Sequence, residues 1–189
     1  MSIIYFVRHA ERDVSIKTDE TAPLTAKGHE DADKIKNFFT DKNIQAIYSS
    51  PYQRTIHTIE PTAFFLDLPI NLIDNFHERK IGSWIDDFNV YAEQQWKDFD
   101  YKRQDGESLN DVYNRLISSY NRIEKELAGN TIICGHGTAF AILFHHLTDK
   151  QFGYQQWSSM KMPDIYSYDV ETKELRNVQY SNQDDYNDK

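Results

Sequence analysis

Ile3-Ile4-Tyr5-Phe6-Val7-Arg8-His9-Ala10-Glu11 is an apolar run that ends abruptly in a guanidinium and an imidazole. It predicts a buried strand that delivers a cation and a candidate nucleophile to one edge of a sheet. A second run, Thr131-Ile132-Ile133-Cys134-Gly135-His136-Gly137, ends in the same way. If the two strands are neighbours, two histidines and an arginine meet at one point, which suits a doubly charged phosphoryl group.

Outward from these runs, strands alternate with helices. Residues 25–41 carry Ala32, Ile35, Phe38 and Phe39 at helical spacing after a turn at Pro23. Residues 45–49 read as a short strand closed by Pro51, because the residue before proline avoids the helical region. A helix is expected over 52–66, with a break near Glu60 because a proline inside a helix, here Pro61, removes a hydrogen bond. A brief strand follows at 70–73. The aromatic, irregular stretch from 74 to about 105 is expected to be a lid or insert, or to carry short helices, since loops that long in compact domains are usually functional.

The clearest helix is 108–127, with Leu109, Val112, Tyr113, Leu116, Ile117, Tyr120, Ile123 and Leu127 on one stripe. Ser108 and Asp111 form a variant capping box at its start, and Gly129 is expected just past its end. A strand at 131–135, a helix at 138–147 and strands at 165–170 and 175–179 complete the pattern. The class is α/β: a three-layer αβα sandwich with a mostly parallel central sheet, active at the carboxyl ends of its strands. Residues 1–180 are expected to form one catalytic domain, and 181–189 a polar tail.

Composition narrows the function. A net charge of -9 over 189 residues argues against a nucleic-acid partner, which needs a basic footprint to displace counterions. No stretch approaches the roughly 20 apolar residues that span a bilayer, and no leader pattern opens the chain, so a cytoplasmic location without a membrane partner is expected. Cys134 is the only cysteine, which excludes an internal disulfide and a cysteine-based metal site. No metal or other cofactor is expected, and no feature marks an oligomeric interface.

Spacing also closes several phosphate-handling routes. A cysteine phosphatase requires an arginine at the sixth position after its cysteine, where Phe140 stands. There is no P-loop, no Asp-x-Asp after the first strand, and no serine at the centre of Gly135-His136-Gly137. Histidine chemistry remains, because a neutral imidazole attacks phosphorus and divides one difficult hydrolysis into two displacements.

Arg8-His9-Ala10-Glu11, Pro23-Leu24-Thr25-x-x-Gly28, Ser49-Ser50-Pro51-x-x-Arg54-Thr55-x-x-Thr58, Glu78-x-x-x-Gly82-x-Trp84, Gly106-Glu107-Ser108 and Gly135-His136-Gly137 occur in this order. Over residues 3–147 the chain thereby resembles the histidine phosphatase superfamily, the phosphoglycerate mutase-like proteins, in its small phosphatase branch. The resemblance implies that His9 is the nucleophile, that Arg8, Arg54 and His136 form the phosphate pocket, and that Glu78 is the general acid. It implies a metal-independent phosphatase acting on a small phosphorylated metabolite or a phosphoprotein.

The departures mark where this chain differs. Ala10 replaces the usual glycine after the nucleophile, Ser15 stands where many members place a phosphate-binding asparagine, and His57 stands in place of glutamine. Gly137 in place of aspartate separates the chain from the His-Asp acid phosphatases. Arg79 is a candidate for a substrate anion, as in mutases, or for a surface ion pair. Glu11, Asp86 and Asp87 compete with Glu78 for the acid's role. Two further functions stay open: a phosphoglycerate mutase, and a catalytically weak phospho-ligand-binding module suggested by Ala10 and Ser15.

Overall fold

The computed structural model describes residues 2–83 and 85–180. Trp84 and the expected polar tail, 181–189, lie outside the described residues. Strands β1 (Ile3–Arg8), β2 (Ile44–Ser49), β3 (Ile70–Leu72), β4 (Asn130–Gly135), β5 (Asp164–Asp169) and β6 (Glu174–Val178) form one sheet in the order β3-β2-β4-β1-β5-β6. Helices α1 (Ala26–Phe39), α2 (Gln53–Leu66), α3 (Phe88–Lys97), α4 (Leu109–Lys125), α5 (Gly137–Leu147) and α6 (Tyr154–Ser159) surround it.

The side chains of β1 alternate between two cores, as a period of two requires. Ile4 and Phe6 pack with Leu116 of α4 and Phe140 and Phe144 of α5. Tyr5 and Val7 face the opposite way, against Ile35 and Phe39 of α1 and Ile59 of α2. The expected three-layer sandwich follows from this alternation, because each face of the sheet must be covered by an apolar helix stripe. Each large side chain buried in this way contributes roughly 1.5–3 kcal/mol relative to exposure.

The register determines where the chemistry gathers. β4 lies parallel between β1 and β2, with Gly135 opposite Arg8 and Cys134 opposite Ser49. The residues that follow these strand ends, His9, Ser50 and His136, therefore emerge together at one edge.

Two local expectations are corrected. α2 runs unbroken through Pro61, because its face carrying Thr55, Thr58, Ile59, Thr62 and Ala63 is buried. Packing along the whole length outweighs the one hydrogen bond that proline removes. Gly129 is not the stop of α4, which ends at a Glu126 cap with φ -97°. Gly129 instead passes over Gln45, where a Cβ would lie 2.6 Å from its Cγ. The helix α6 has no counterpart in the periodicity.

Candidate active site

His9 leaves β1 with its N–H bonded to the carbonyl of Gly135, 3.0 Å away. Its ring is almost fully enclosed and has two partners of opposite kind. Nδ1 lies 2.7 Å from the carbonyl oxygen of Ala10, which can only accept. Nε2 lies 3.2 Å from Nε of Arg54, which can only donate. The partners therefore select one neutral tautomer, with the proton on Nδ1 and the lone pair on Nε2.

The same strand end is tied to the first turns of α2. The Ala10 N–H donates to Thr58 Oγ1 at 2.9 Å, and that hydroxyl donates to the carbonyl of Arg54 at 2.7 Å. Arg54 is 2% exposed and lies against the Tyr52 ring, 4.9 Å from its centroid. Its outer nitrogens are held by Asp19: Nη1 donates to the backbone carbonyl, and Nη2 lies 3.3 Å from Oδ2. Asp19 also pairs with Arg12 at 3.0 Å.

His136 follows β4 as the N-cap of α5. Its ring lies 5.3 Å from that of His9, centroid to centroid, and its Nε2 is 2.8 Å from Ser50 Oγ. Its Nδ1 is buried and has no partner among the described residues. The next residue, Gly137, passes so close to Arg8 that a Cβ there would lie 2.9 Å from the guanidinium carbon. Arg8 is anchored by Nη1 to the carbonyl of Met160 at 2.8 Å, while its Nε is also buried without a partner among the described residues. Both nitrogens keep hydrogen-bonding capacity that the described residues leave unused.

Glu78 reaches this cluster from a segment with no regular secondary structure. Its Oε2 accepts the N–H of Thr138 at 3.1 Å, and its Oε1 accepts those of Ala139 at 3.1 Å and Arg79 at 2.7 Å. The carboxylate thus sits on the first turn of α5, beside the residue that follows His136 and faces Arg8. Of its sequence rivals, Asp87 caps α3 by accepting from Val90 N–H, and Glu11 accepts from the Thr25 hydroxyl.

The other two candidates lie apart from the histidines. Arg79 is 3% exposed, so it is not in a surface pair. It donates to Gln95 of α3 and lies over the rings of Phe88 and Tyr91, at 5.4 and 5.5 Å. The stretch expected to be a lid or a helical cluster thus contains a helix packed on Arg79. Ser15 is exposed, and its N–H and hydroxyl both bond Asp13, at 2.9 and 2.6 Å. Asp19 and Ser50 are site neighbours that the sequence reading assigned no role. Ser50 belongs to the Ser49-Ser50-Pro51-x-x-Arg54 motif, whereas Asp19 carries no signal in its polar loop.

Burial is the main cause that drives both imidazoles well below the ordinary histidine value of 6.5. Arg54 adds to it at each ring, and at His9 the Ala10 carbonyl opposes it. Both rings are therefore uncharged in the folded protein, while the unfolded chain takes up protons below 6.5. With more protons bound in the unfolded state, stability falls as pH falls through this window, by up to about 1.4 kcal/mol per pH unit for each ring. Urea unfolding of the wild type and His9→Asn between pH 7.5 and 5.5 tests this. The variant should lose less stability across the interval, and parallel curves would show that His9 is not held neutral.

Among the described residues no group of three or more His, Cys, Asp or Glu side chains could hold a metal ion, and no helix is long and apolar enough to cross a membrane.

Comparison with known proteins extends the likeness read from the motifs. Residues 4–183 match the family described as Histidine phosphatase superfamily (branch 1). The chain is 28% identical over 156 residues to a Bacillus subtilis (strain 168) protein named Uncharacterized phosphatase PhoE, covering 78% of each. The fold is similar to that of Bacillus stearothermophilus YhfR, with a TM-score of 0.76 at 21% identity over 94% of this chain and 96% of that one. It is also similar to a mycobacterial glucosyl-3-phosphoglycerate phosphatase in complex with VO3, with a TM-score of 0.78 at 16% identity over 95% and 98% of the two chains. The sandwich is phosphoglycerate mutase-like, and the family match continues past residue 147 through β5 and β6. Six short motifs and the nearly full-length match thus lead to the same place, and the chain belongs to the histidine phosphatase superfamily, branch 1.

Proposed function

We propose that this protein is a metal-independent phosphatase that hydrolyses phosphomonoesters through a phosphohistidine at His9. The observation that carries the reading is the state of His9: a neutral ring whose unprotonated Nε2 faces a buried arginine. In the resting site that lone pair accepts from Arg54. An arriving phosphoryl group draws the guanidinium onto its own oxygens and frees the lone pair for attack.

The first displacement forms the Nε2–P bond and breaks the bond from phosphorus to the substrate oxygen. Glu78 supplies the proton that makes this oxygen leave as an alcohol. In the second displacement the Glu78 carboxylate takes a proton from water, the resulting oxygen attacks phosphorus, and the Nε2–P bond breaks to release phosphate. The acid is restored and the sum is ester plus water to alcohol plus phosphate. Arg8, Arg54 and His136 stabilise the charge on the equatorial oxygens, a contribution that requires fixed donors rather than bound metal. Ser50 Oγ accepts the Tyr52 N–H and lies 2.8 Å from His136 Nε2. In the tautomer in which Nε2 accepts the Ser50 proton, the Nδ1–H and the Arg8 Nε–H are donors to phosphoryl oxygens.

The substrate class is a small phosphorylated metabolite or a phosphoprotein. Two of the similar proteins are named as phosphatases, which supports hydrolysis over transfer. Incubation with 3-phosphoglycerate separates the two. A phosphatase releases inorganic phosphate, whereas accumulation of the 2-phospho isomer under a bisphosphate primer, without release, would establish a mutase. A broad phosphoester panel that yields no turnover at all, with phosphopeptide binding retained, would instead make the protein a binding module.

A further inference from the structure

Glu78 is the one member of the cluster whose own backbone lies at no strand end and in no helix. His9 and His136 follow paired strands and Arg54 lies in a helix, whereas the backbone at Glu78 belongs to no regular element. Its carboxylate rests on the α5 N–H groups, and its backbone segment is held by Glu107 and Arg115. The two form a two-pronged ion pair, with Arg115 Nε 2.7 Å from Glu107 Oε1 and Nη2 3.0 Å from Oε2. The side chains are 14% and 18% exposed.

The remaining bonding capacity of the pair falls on the segment that carries Glu78. Arg115 Nη1 donates to the Asn75 carbonyl at 2.6 Å, and Nη2 lies 3.3 Å from the carbonyl of Glu78 itself. On the other side, Glu107 Oε2 accepts the Lys80 N–H at 2.9 Å, and the Glu107 N–H donates to the Lys80 carbonyl at 2.7 Å. Residues 75, 78 and 80 are thus fixed by one pair. Burial alone would raise the Glu107 carboxyl, but His77, Arg115 and the Lys80 N–H together hold it well below the usual carboxylate value. Arg115 in turn is carried by α4, whose start is locked by the reciprocal Ser108 and Asp111 capping box.

We propose that Glu107 and Arg115 are positioning residues for the reaction, holding the Glu78 carboxyl where it can protonate the leaving group. This rests on Glu78 being the acid. A fixed acid matters in proportion to how much the departing oxygen needs a proton, whereas a pair that merely stabilises the fold would affect all substrates alike.

The test is the ratio of kcat/KM for an alkyl phosphate to that for 4-nitrophenyl phosphate, whose phenolate leaves with little help. The parameter kcat/KM reports only steps up to the first displacement, so hydrolysis of the phosphohistidine does not mask it. Glu78→Gln should lower the ratio about 10²-fold, and Arg115→Lys, which keeps the charge but not the fork, about 10-fold. Glu107→Gln should act in the same direction, and it carries the comparison if Arg115→Lys does not fold. In the Glu78→Gln background, Arg115→Lys should change the ratio no further. An Arg115→Lys ratio equal to that of the wild type, or a double variant in which the two losses multiply, would overturn the pair's role while Glu78 keeps its own. A Glu78→Gln ratio unchanged from the wild type would overturn both.

Discussion

Replacing His9 by alanine is expected to lower kcat/KM on any phosphomonoester by on the order of 10⁴-fold or more, the scale seen when a covalent nucleophile is removed. The loss should be that large because no neighbour can replace it. His136 is the nearest imidazole, but its Nε2 is engaged by Ser50 and its ring centre lies 5.3 Å from that of His9. Cys134 is buried, and burial drives its thiol far above the usual value, so it supplies no thiolate. The phosphorylated intermediate gives a second readout. Wild type mixed with a phosphorylated substrate and quenched in base should carry acid-labile phosphate, and His9→Ala should carry none. Label retained by the variant would move the nucleophile elsewhere.

Glu78→Gln is expected to lower kcat/KM on alkyl phosphates by about 10²-fold or more, since an alkoxide leaves poorly without a proton. The amide keeps one oxygen for the N–H groups of Arg79 and Ala139 but turns a donor toward Thr138 N–H. A stability loss of about 1 kcal/mol should therefore accompany the rate loss. A protein phosphohistidine substrate separates the two effects, because its leaving imidazole needs little help from an acid. Phosphohistidine turnover should fall far less than ester turnover. Equal losses on both substrates would mean that Glu78 shapes the pocket rather than moving the proton.

The elements read correctly from the sequence are those whose cause is local. β1 and β4 are apolar runs stopped by a charged or ring-bearing residue and a glycine, and α4 has both its stripe and its capping box within a few residues. Pro61 misled because its penalty is local while the force that keeps α2 straight is a buried face shared with distant elements. α6 spans six residues and buries none of them, so it leaves no periodic trace. The antiparallel direction of β5 against β1 depends on how the chain returns from α5, which no side-chain pattern encodes.

The site divides along the same line. His9, Arg8, Arg54, His136 and Glu78 were legible as residue types at strand or motif ends, and the structure brings four of them around His9 or onto the first turn of α5. Ser15 occupies a motif position, but its hydroxyl goes to Asp13 two residues away, because a local turn satisfies it first. Asp19 carries two arginines from a loop that reads as solvent-exposed polar sequence. Glu107 belongs to the Gly106-Glu107-Ser108 motif, but only its bonds to Lys80 and Arg115 connect it to the site.

By itself, the sequence determined the α/β class, the two histidine-bearing strand ends and the family, because hydrophobic period and motif order act over short spans of chain. Only the tertiary structure decided the tautomer of His9, the capture of Arg54 by Asp19 and the clamp on Glu78. Each depends on atoms from segments 27 to 45 residues apart, such as Arg54 with His9 and Lys80 with Glu107. Such contacts exist only once the sheet has set its strand order.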